Sequence, residues 1–213
     1  MNPYVVRQGD HLAAIAQRMG FDAAEVWQHA ANAELRDRRE HGDELFPGDV
    51  LMVPEPRPPS RSRIQPRGRH SFSGARPPMT VKLRVVQDGE PVKDTSFRAD
   101  IGARAPLEVR SDGDGLLTLE IPVQTQRVLL SADEPKLLFR VMVGHLDPID
   151  EPSGTTQRLQ NLGHAPPSPE ASDENKRLHL THALRSFQAS QSLPETGELD
   201  NDTRAALRGA HGR

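Results

Sequence analysis

The side chains of this sequence that could bind a metal are its nine histidines and its carboxylates, because it contains no cysteine. His179 and His182 stand at positions i and i+3 of a predicted helix, the nearest approach to a pair of zinc ligands. No third ligand stands at a suitable spacing, so we interpret both as surface residues. The run DGDG at residues 112–115 lacks the further ligands and the final glutamate of an EF-hand loop. It predicts a turn, and we expect no metal site.

Catalytic motifs are also missing from the sequence. The absence of cysteine excludes a Cys-His nucleophile, and neither His-Glu-x-x-His, Gly-x-Ser-x-Gly nor a P-loop is present. Two carboxylates on a groove would be enough for glycoside cleavage, and no motif excludes that arrangement. We expect no catalytic residues and no cofactor, and we interpret the chain as non-enzymatic.

Composition restricts the partners that the chain is expected to have. The formal net charge is −3 over 213 residues, which gives no argument for nucleic acid. No window approaches the roughly 20 apolar residues of a membrane span, so we expect no membrane partner. The N-terminal residues MNPYVVRQGDH contain neither a basic leader nor an apolar stretch. We therefore expect cytoplasmic synthesis without a signal peptide.

A change in composition at residues 57–78 predicts the clearest domain boundary. This segment holds six arginines, five prolines and no acid, so it cannot bury a core and is typical of a flexible linker. As a coil it would span roughly 25 to 30 Å. Its positive charge also fits a grip on an anionic polymer, and the sequence leaves that alternative open.

Residues 1–56 predict the order strand, helix, helix, strand. Asp10 is placed to cap a first helix, whose apolar residues recur at helical spacing. Asp22, followed three residues later by Glu25, predicts a second helix over residues 23–33. After a Pro-Gly turn, a short strand is predicted over Val50–Val53.

The pattern of residues in this region resembles the LysM family of small βααβ modules. The resemblance depends on Tyr4, Val6, Gly9, Asp10, Leu12, Ile15, Ala16, Gly20, Asn32, Pro47, Gly48, Leu51, Val53 and Pro54. It implies binding of N-acetylglucosamine-containing glycans, with peptidoglycan as the partner. It places the glycan site at Gly9, Asp10, His11, Leu12, Pro47, Gly48 and Asp49. His11 departs from the family, which usually has Thr or Ser there, and the charged run 34–44 is longer than usual.

Residues 79–146 change to the alternating pattern of β-strands. Six or seven short strands separated by turns such as QDGEP and SDGDG predict an antiparallel β-sandwich. The turn chemistry resembles transthyretin-like domains.

Residues 147–213 return to helical spacing and predict a three-helix domain. The stretches TQRLQNLG, ALRSFQ and LPETGELDNDTRAAL resemble the family-one peptidoglycan-binding domain. In the first loop, the family's usual Asp-Gly-x-Phe-Gly is replaced by a proline-rich run, and we expect a loop at residues 165–175. The predicted fold class is therefore multidomain α+β.

Three functional hypotheses follow from this domain combination. It is similar to that of leaderless proteins associated with type VI secretion spikes, contractile injection systems and phage tails. The first hypothesis is a non-catalytic peptidoglycan-binding accessory of a secretion spike or its effector, delivered to the periplasm or to a target cell. The second is a structural tail, baseplate or spike adaptor that uses the LysM-like fold for protein contacts. The third is a targeting subunit with an unrecognised wall hydrolase activity.

Overall fold

A computed structural model describes residues 1–39, 41–55, 69, 77–87, 89–102, 105–164 and 172–212. The predicted linker over residues 57–78 lies outside this described part except at residues 69, 77 and 78, and residues 165–171 of the predicted loop also lie outside it. The chain divides into two compact units, Met1–Asp43 with Pro47–His145, and Glu44–Phe46 with Leu146–Arg213. Among the described residues, no helix is both long and apolar enough to cross a membrane.

The N-terminal part of the first unit contains two short antiparallel strands, with three helices between them in sequence. Strand β1 (Asn2–Val5) pairs with β2 (Val50–Val53), and Tyr4 lies opposite Leu51. Between them lie α1 (Leu12–Met19), α2 (Ala23–Gln28), a 3₁₀ turn (Ala30–Asn32) and α3 (Ala33–Arg38). The predicted strand over Val50–Val53 is confirmed with these bounds. The buried apolar residues of this region are Val6, Leu12, Ala14, Ile15, Ala16, Val26, Leu35, Leu51 and Val53.

The structure confirms one predicted helix cap and corrects another. The carboxylate of Asp22 accepts a hydrogen bond from the backbone N–H of Glu25 at 2.9 Å, as expected of an N-cap. Asp10, by contrast, does not cap α1, because the N-cap residue is His11 and its side chain makes no capping bond. The carboxylate of Asp10 is held instead by groups of the preceding loop and of α1.

The predicted continuous helix over residues 23–33 was also wrong. The backbone of His29 is extended, with φ −61° and ψ 140°, and ends α2 before the 3₁₀ turn. The amide of Asn32 explains why the chain departs from a helix here. Its Nδ2 donates to the carbonyls of Val26 and Met52 at 2.8 and 2.9 Å, and its Oδ1 accepts from the N–H of Met52 at 2.7 Å. These bonds tie the turn to β2.

The rest of the first unit is built from antiparallel strands. Eight strands lie in the described part of residues 78–142: β3 (Pro78–Arg84), β4 (Val86–Gln87), β5 (Glu90–Pro91), β6 (Ser96–Asp100), β7 (Leu107–Arg110), β8 (Leu116–Pro122), β9 (Arg127–Ala132) and β10 (Leu137–Met142). Four form a sheet in the order β10-β9-β6-β7, while β3 pairs with β8 and β4 with β5. The prediction of antiparallel strands is therefore confirmed.

Alternating side chains bury a core that these strands share. Leu117, Leu119 and Ile121 of β8 are almost fully buried, and they form one cluster with Phe97 of β6 and Leu130 of β9. Because every second residue of a strand points to the same face, the outer face of the four-stranded sheet stays open to solvent.

The DGDG run is a turn, as the sequence predicts. The carboxylate of Asp112 accepts hydrogen bonds from the backbone N–H groups of Asp114 and Leu116, both at 2.9 Å. These bonds lower the pKa of Asp112.

The second unit contains three helices in its described residues. They are α4 (Pro152–Asn161), α5 (Asp173–Ser190) and α6 (Asn201–His211), which confirms the predicted helical C-terminal region. The core of this unit consists of Ile149, Leu159, Ala183, Leu184, Phe187 and Leu207.

Beside this core lies a fully buried arginine, Arg158, with 0% of its surface exposed. Its guanidinium donates to the carbonyls of Asp147 and Gly154 at 2.7 and 3.1 Å and forms an ion pair with Glu44 at 3.2 Å. The three-residue segment Glu44–Phe46 thus supplies the countercharge for this arginine of the second unit.

Candidate functional site

The second unit is organised around one buried glutamine, Gln188 of α5. Its Nε2 lies 2.9 Å from the hydroxyl of Thr196, 3.0 Å from the carbonyl of Glu198 and 2.9 Å from the hydroxyl of Thr203. Its Oε1 accepts a hydrogen bond from the backbone N–H of Gly197 at 2.8 Å. One fully buried amide therefore fixes the loop between α5 and α6.

The glycine and the aspartate of this loop also have structural roles. Gly197 has a φ of +75°, and a Cβ built there would lie 2.8 Å from the Cγ2 atom of Thr181. The carboxylate of Asp200 accepts from the backbone N–H of Thr203 at 2.8 Å and caps α6. The motif residues Gln188, Gly197 and Asp200 therefore hold the fold, and their polar groups are used within it.

A groove on the exposed side of α5 is the candidate surface. Its volume is about 530 Å³. The lining residues that belong to α5 are spaced at helical intervals, which places them on one face, and His164 adds to them from the loop after α4. They are His164, Asn175, Leu178, His179, His182, Ala183 and Ser186. Leu178 is 53% exposed, which is high for a leucine beside polar groups. The groove thus combines an amide, a hydroxyl, imidazole rings and an apolar surface.

His164 is the member of the groove that the fold fixes most firmly. Its Nδ1 lies 3.1 Å from the hydroxyl of Ser186, and its ring packs edge-on against Phe187 with ring centroids 5.4 Å apart. Burial lowers the pKa of His164, which favours the neutral ring. Because Nδ1 is bonded to Ser186, Nε2 is the ring nitrogen left for a polar ligand.

The histidines of the groove are not arranged as a metal site. Among the described residues, no group of three His, Asp or Glu side chains is placed to hold a metal ion. His179 and His182 are exposed on α5, as their spacing predicts. Sequence reasoning did not find His164 or Ser186, which lie 22 positions apart. The only local signal was that His164 follows Gly163, two residues after α4 ends at Asn161.

This helical unit is where the chain is similar to a known family. Residues 156–207 match the family described as "Putative peptidoglycan binding domain". The match covers about a quarter of the chain and supports peptidoglycan as a binding partner. Comparison of the chain with curated proteins and with solved structures found no match.

The N-terminal residues predicted to bind glycan are partly engaged within the first unit. The carboxylate of Asp10, which is 6% exposed, accepts from the hydroxyl of Tyr4 at 2.6 Å and from the N–H of Arg7 at 3.1 Å, and it pairs with Arg18 at 3.2 Å. Burial acts to raise the pKa of this carboxyl, but the bonds from Tyr4, Arg7 and Arg18 lower it overall.

His11 and Gly9 pack against the segments that follow β8 and β10 in the same unit. The Nε2 of His11 lies 3.2 Å from the carbonyl of Val123, and since a carbonyl only accepts, this nitrogen carries the proton. Burial lowers the pKa of His11, which favours the neutral ring. A Cβ built on Gly9 would lie 2.9 Å from the ring of His145, and one built on Gly144 would lie 2.8 Å from the carbonyl oxygen of Gly9.

The remaining predicted residues divide into two buried and two more open positions. Leu12 is 7% exposed, and Asp49 forms a buried ion pair with Arg39 at 2.8 Å. Pro47 is half-buried, whereas Gly48 is exposed, with a φ of +97° and no atom within 4 Å of a built Cβ. The glycan role of these residues stays a prediction, and Pro47 and Gly48 are the positions that a ligand could still reach.

Proposed function

We propose that this chain is a non-catalytic peptidoglycan-binding protein whose wall contact is the groove on α5. The family match over residues 156–207 carries the proposal. The groove supports it because the motif residues are used inside the fold, while the groove presents solvent-exposed polar and apolar groups such as Asn175, His182 and Leu178. Amide, hydroxyl and imidazole groups suit the N-acetyl and peptide groups of the wall polymer.

The test is co-sedimentation of the full chain with purified sacculi, with point variants in the groove. Asn175→Ala and His182→Ala remove exposed side chains, so the fold should be unaffected. Each loss of a hydrogen bond should weaken binding by about fivefold, or about 1 kcal/mol. Gln191→Ala is the matched control, because it removes an exposed amide at the end of α5 outside the groove lining.

Two results of this experiment would contradict the proposal. If the full chain stays in the supernatant at moderate salt, it does not bind the wall. If the groove variants sediment as wild type does, the contact lies elsewhere. Release of soluble muropeptides from the sacculi during the same incubation would contradict the non-catalytic part and would favour the wall hydrolase alternative.

A second candidate is an adaptor of a secretion spike or tail, in which the LysM-like region serves protein contacts. It is favoured by the burial of Asp10 and His11, because side chains used inside the unit cannot also reach a glycan. Gly48→Trp tests whether the N-terminal region binds glycan in addition to the groove on α5. Because the φ of +97° strains any side chain at this position, thermal unfolding of the variant is measured alongside. Reduced sedimentation of a folded variant would support a glycan contact in the N-terminal region, whereas unchanged sedimentation is the result expected of an adaptor. Association with a spike and delivery by a secretion machine stay part of the sequence-based hypothesis.

A further inference from the structure

The β-rich part of the first unit contains a larger cleft than the groove on α5. It has a volume of about 720 Å³ and lies on the outer face of the four-stranded sheet, where the strands leave side chains open to solvent. It is lined by Asp100, Ile101, Gly102, Pro122, Gln124, Thr125, Gln126, Arg127, Leu129 and Arg140. No function has been assigned to it so far.

The strand register brings two arginines of the cleft close together. Arg140 of β10 lies opposite Leu129 of β9, and Arg127 lies opposite Met142. Arg127 and Arg140 are therefore diagonal neighbours on one face, where long side chains are within reach of one another. Within the described residues, neither guanidinium has an acidic group at ion-pair distance. Two adjacent cations without carboxylate partners form a site for anionic groups.

One carboxylate stands at the other side of the same cleft. Asp100 of β6 lies opposite Leu129, so the cleft runs from Arg140 across Leu129 to an acid. The Oδ1 of Asp100 accepts from the N–H of Gly102 at 2.9 Å, which leaves its other oxygen for a ligand. The cleft therefore has a cationic and an anionic end separated by a leucine that is 39% exposed.

The turn between β8 and β9 adds amide and hydroxyl groups. Gln124, Thr125 and Gln126 line the cleft there, and the amide of Gln124 donates to the Oε1 of Gln17 in α1. Side-chain amides pair well with peptide groups, because they donate and accept in the same plane. Aromatic residues are absent from the described lining, which argues against the stacking platform that a sugar ring prefers.

We propose that this cleft binds the stem peptide of peptidoglycan, a short peptide with several carboxylates and an ammonium group. Arg127 and Arg140 bind its carboxylates, Asp100 binds the ammonium group, and Leu129 contacts an alanine methyl. Asp100 disfavours a pure polyanion such as a phosphate polymer, since like charges repel. This inference rests on the proposed function because it takes peptidoglycan as the bound polymer. The cleft that it assigns is a different surface from the groove on α5.

The test is calorimetric titration of the full chain with a synthetic tripeptide, L-Ala-γ-D-Glu-meso-diaminopimelic acid. We expect Arg127→Gln and Arg140→Gln each to weaken binding at least tenfold, and the double variant to abolish it. Arg98→Gln is the matched control, because Arg98 is an exposed arginine of β6 that does not line the cleft. It should bind within twofold of wild type, and all variants should unfold thermally as wild type does.

Three outcomes would overturn the inference. They are no binding of the tripeptide to wild type, an equal loss in Arg98→Gln, or tighter binding of inorganic polyphosphate with the same arginine dependence. Sedimentation with sacculi separates this site from the groove on α5. A chain that binds the tripeptide through the two arginines but does not sediment contradicts the proposed wall-binding function while the cleft assignment stands. A chain that sediments but ignores the tripeptide contradicts the cleft assignment alone.

Discussion

Replacement of Gln188 by alanine is the sharpest test of how the second unit is held together. Gln188 is 0% exposed, and its amide contacts Thr196, Gly197, Glu198 and Thr203. Alanine removes every one of these contacts and shortens a fully buried side chain. The unit then loses both the hydrogen bonds of the loop and part of its packing.

The magnitude follows from the groups that are left behind. The buried N–H of Gly197 loses its side-chain acceptor, which costs about 1 to 3 kcal/mol. Nε2 carries two hydrogens and so donates two full hydrogen bonds among its three contacts, each worth about 0.5 to 1.5 kcal/mol, and water recovers part of that loss. We expect the free energy of unfolding of the second unit to fall by about 3 to 5 kcal/mol, a large fraction of a typical domain's stability.

The two units can be followed separately in urea denaturation of the full chain. Tyr4 and Trp27 are the only tyrosine and tryptophan, so intrinsic fluorescence reports the first unit. Far-ultraviolet circular dichroism reports mainly the second unit, whose helices have 10, 18 and 11 residues against 8, 6 and 6 in the first. Gln188→Ala should shift the dichroism transition and leave the fluorescence transition unchanged. A dichroism shift below 1 kcal/mol, or one matched by the control Gln191→Ala, would refute the reasoning.

The first unit gives three further predictions, each measured by fluorescence-detected unfolding. Gly144→Ala should destabilise the first unit by about 2 kcal/mol or more. The φ of +75° is strained for alanine, and a Cβ would lie only 2.8 Å from the carbonyl oxygen of Gly9. Unchanged stability would show that this contact is loose. Asp49→Asn should cost about 3 kcal/mol, since it leaves the buried guanidinium of Arg39 without its carboxylate, and a loss below 1 kcal/mol would contradict this. Burial lowers the pKa of His11 in the folded chain below its ordinary value of 6.5. The neutral ring therefore contributes its full stability above pH 6.5, and this contribution is lost as the pH falls through the folded pKa. The unfolding midpoint should therefore drop between pH 7 and pH 5, and His11→Gln should reduce the drop; an equal drop in both proteins would exclude His11 as its cause.

Local signals predicted the parts of the fold that depend on neighbours in sequence. The Asp22 cap needs only Glu25 three residues on, and the strand over Val50–Val53 follows from a turn and an apolar run. The alternation of β8 predicted its burial equally well. In each case the physical cause lies within a few residues, so the sequence displays it directly.

The candidate sites depended on partners that are distant in sequence. The partner of His11 is Val123, 112 residues away, and no spacing rule connects them. Arg127 and Arg140 become neighbours only through the register of β9 and β10. Asp10 is typical of a helix cap by residue type, but its carboxylate accepts hydrogen bonds from Tyr4 and Arg18 and does not cap α1. Tertiary contacts, rather than local propensity, decided these positions.

The segment Glu44–Phe46 has a consequence for how the chain can be divided. It belongs to the second unit although about a hundred residues separate it from Leu146 in sequence. A fragment that starts at residue 147 would lack the carboxylate of Glu44, the ion-pair partner of Arg158 at 3.2 Å. We expect such a fragment to be less stable than the same unit in the full chain, and its stability should recover if a peptide covering residues 41–49 is added in trans. The second unit is thus discontinuous in sequence. A truncation that removes all residues before 146 also removes Glu44–Phe46 from the second unit, so its measured effect combines the loss of this segment with the loss of the first unit.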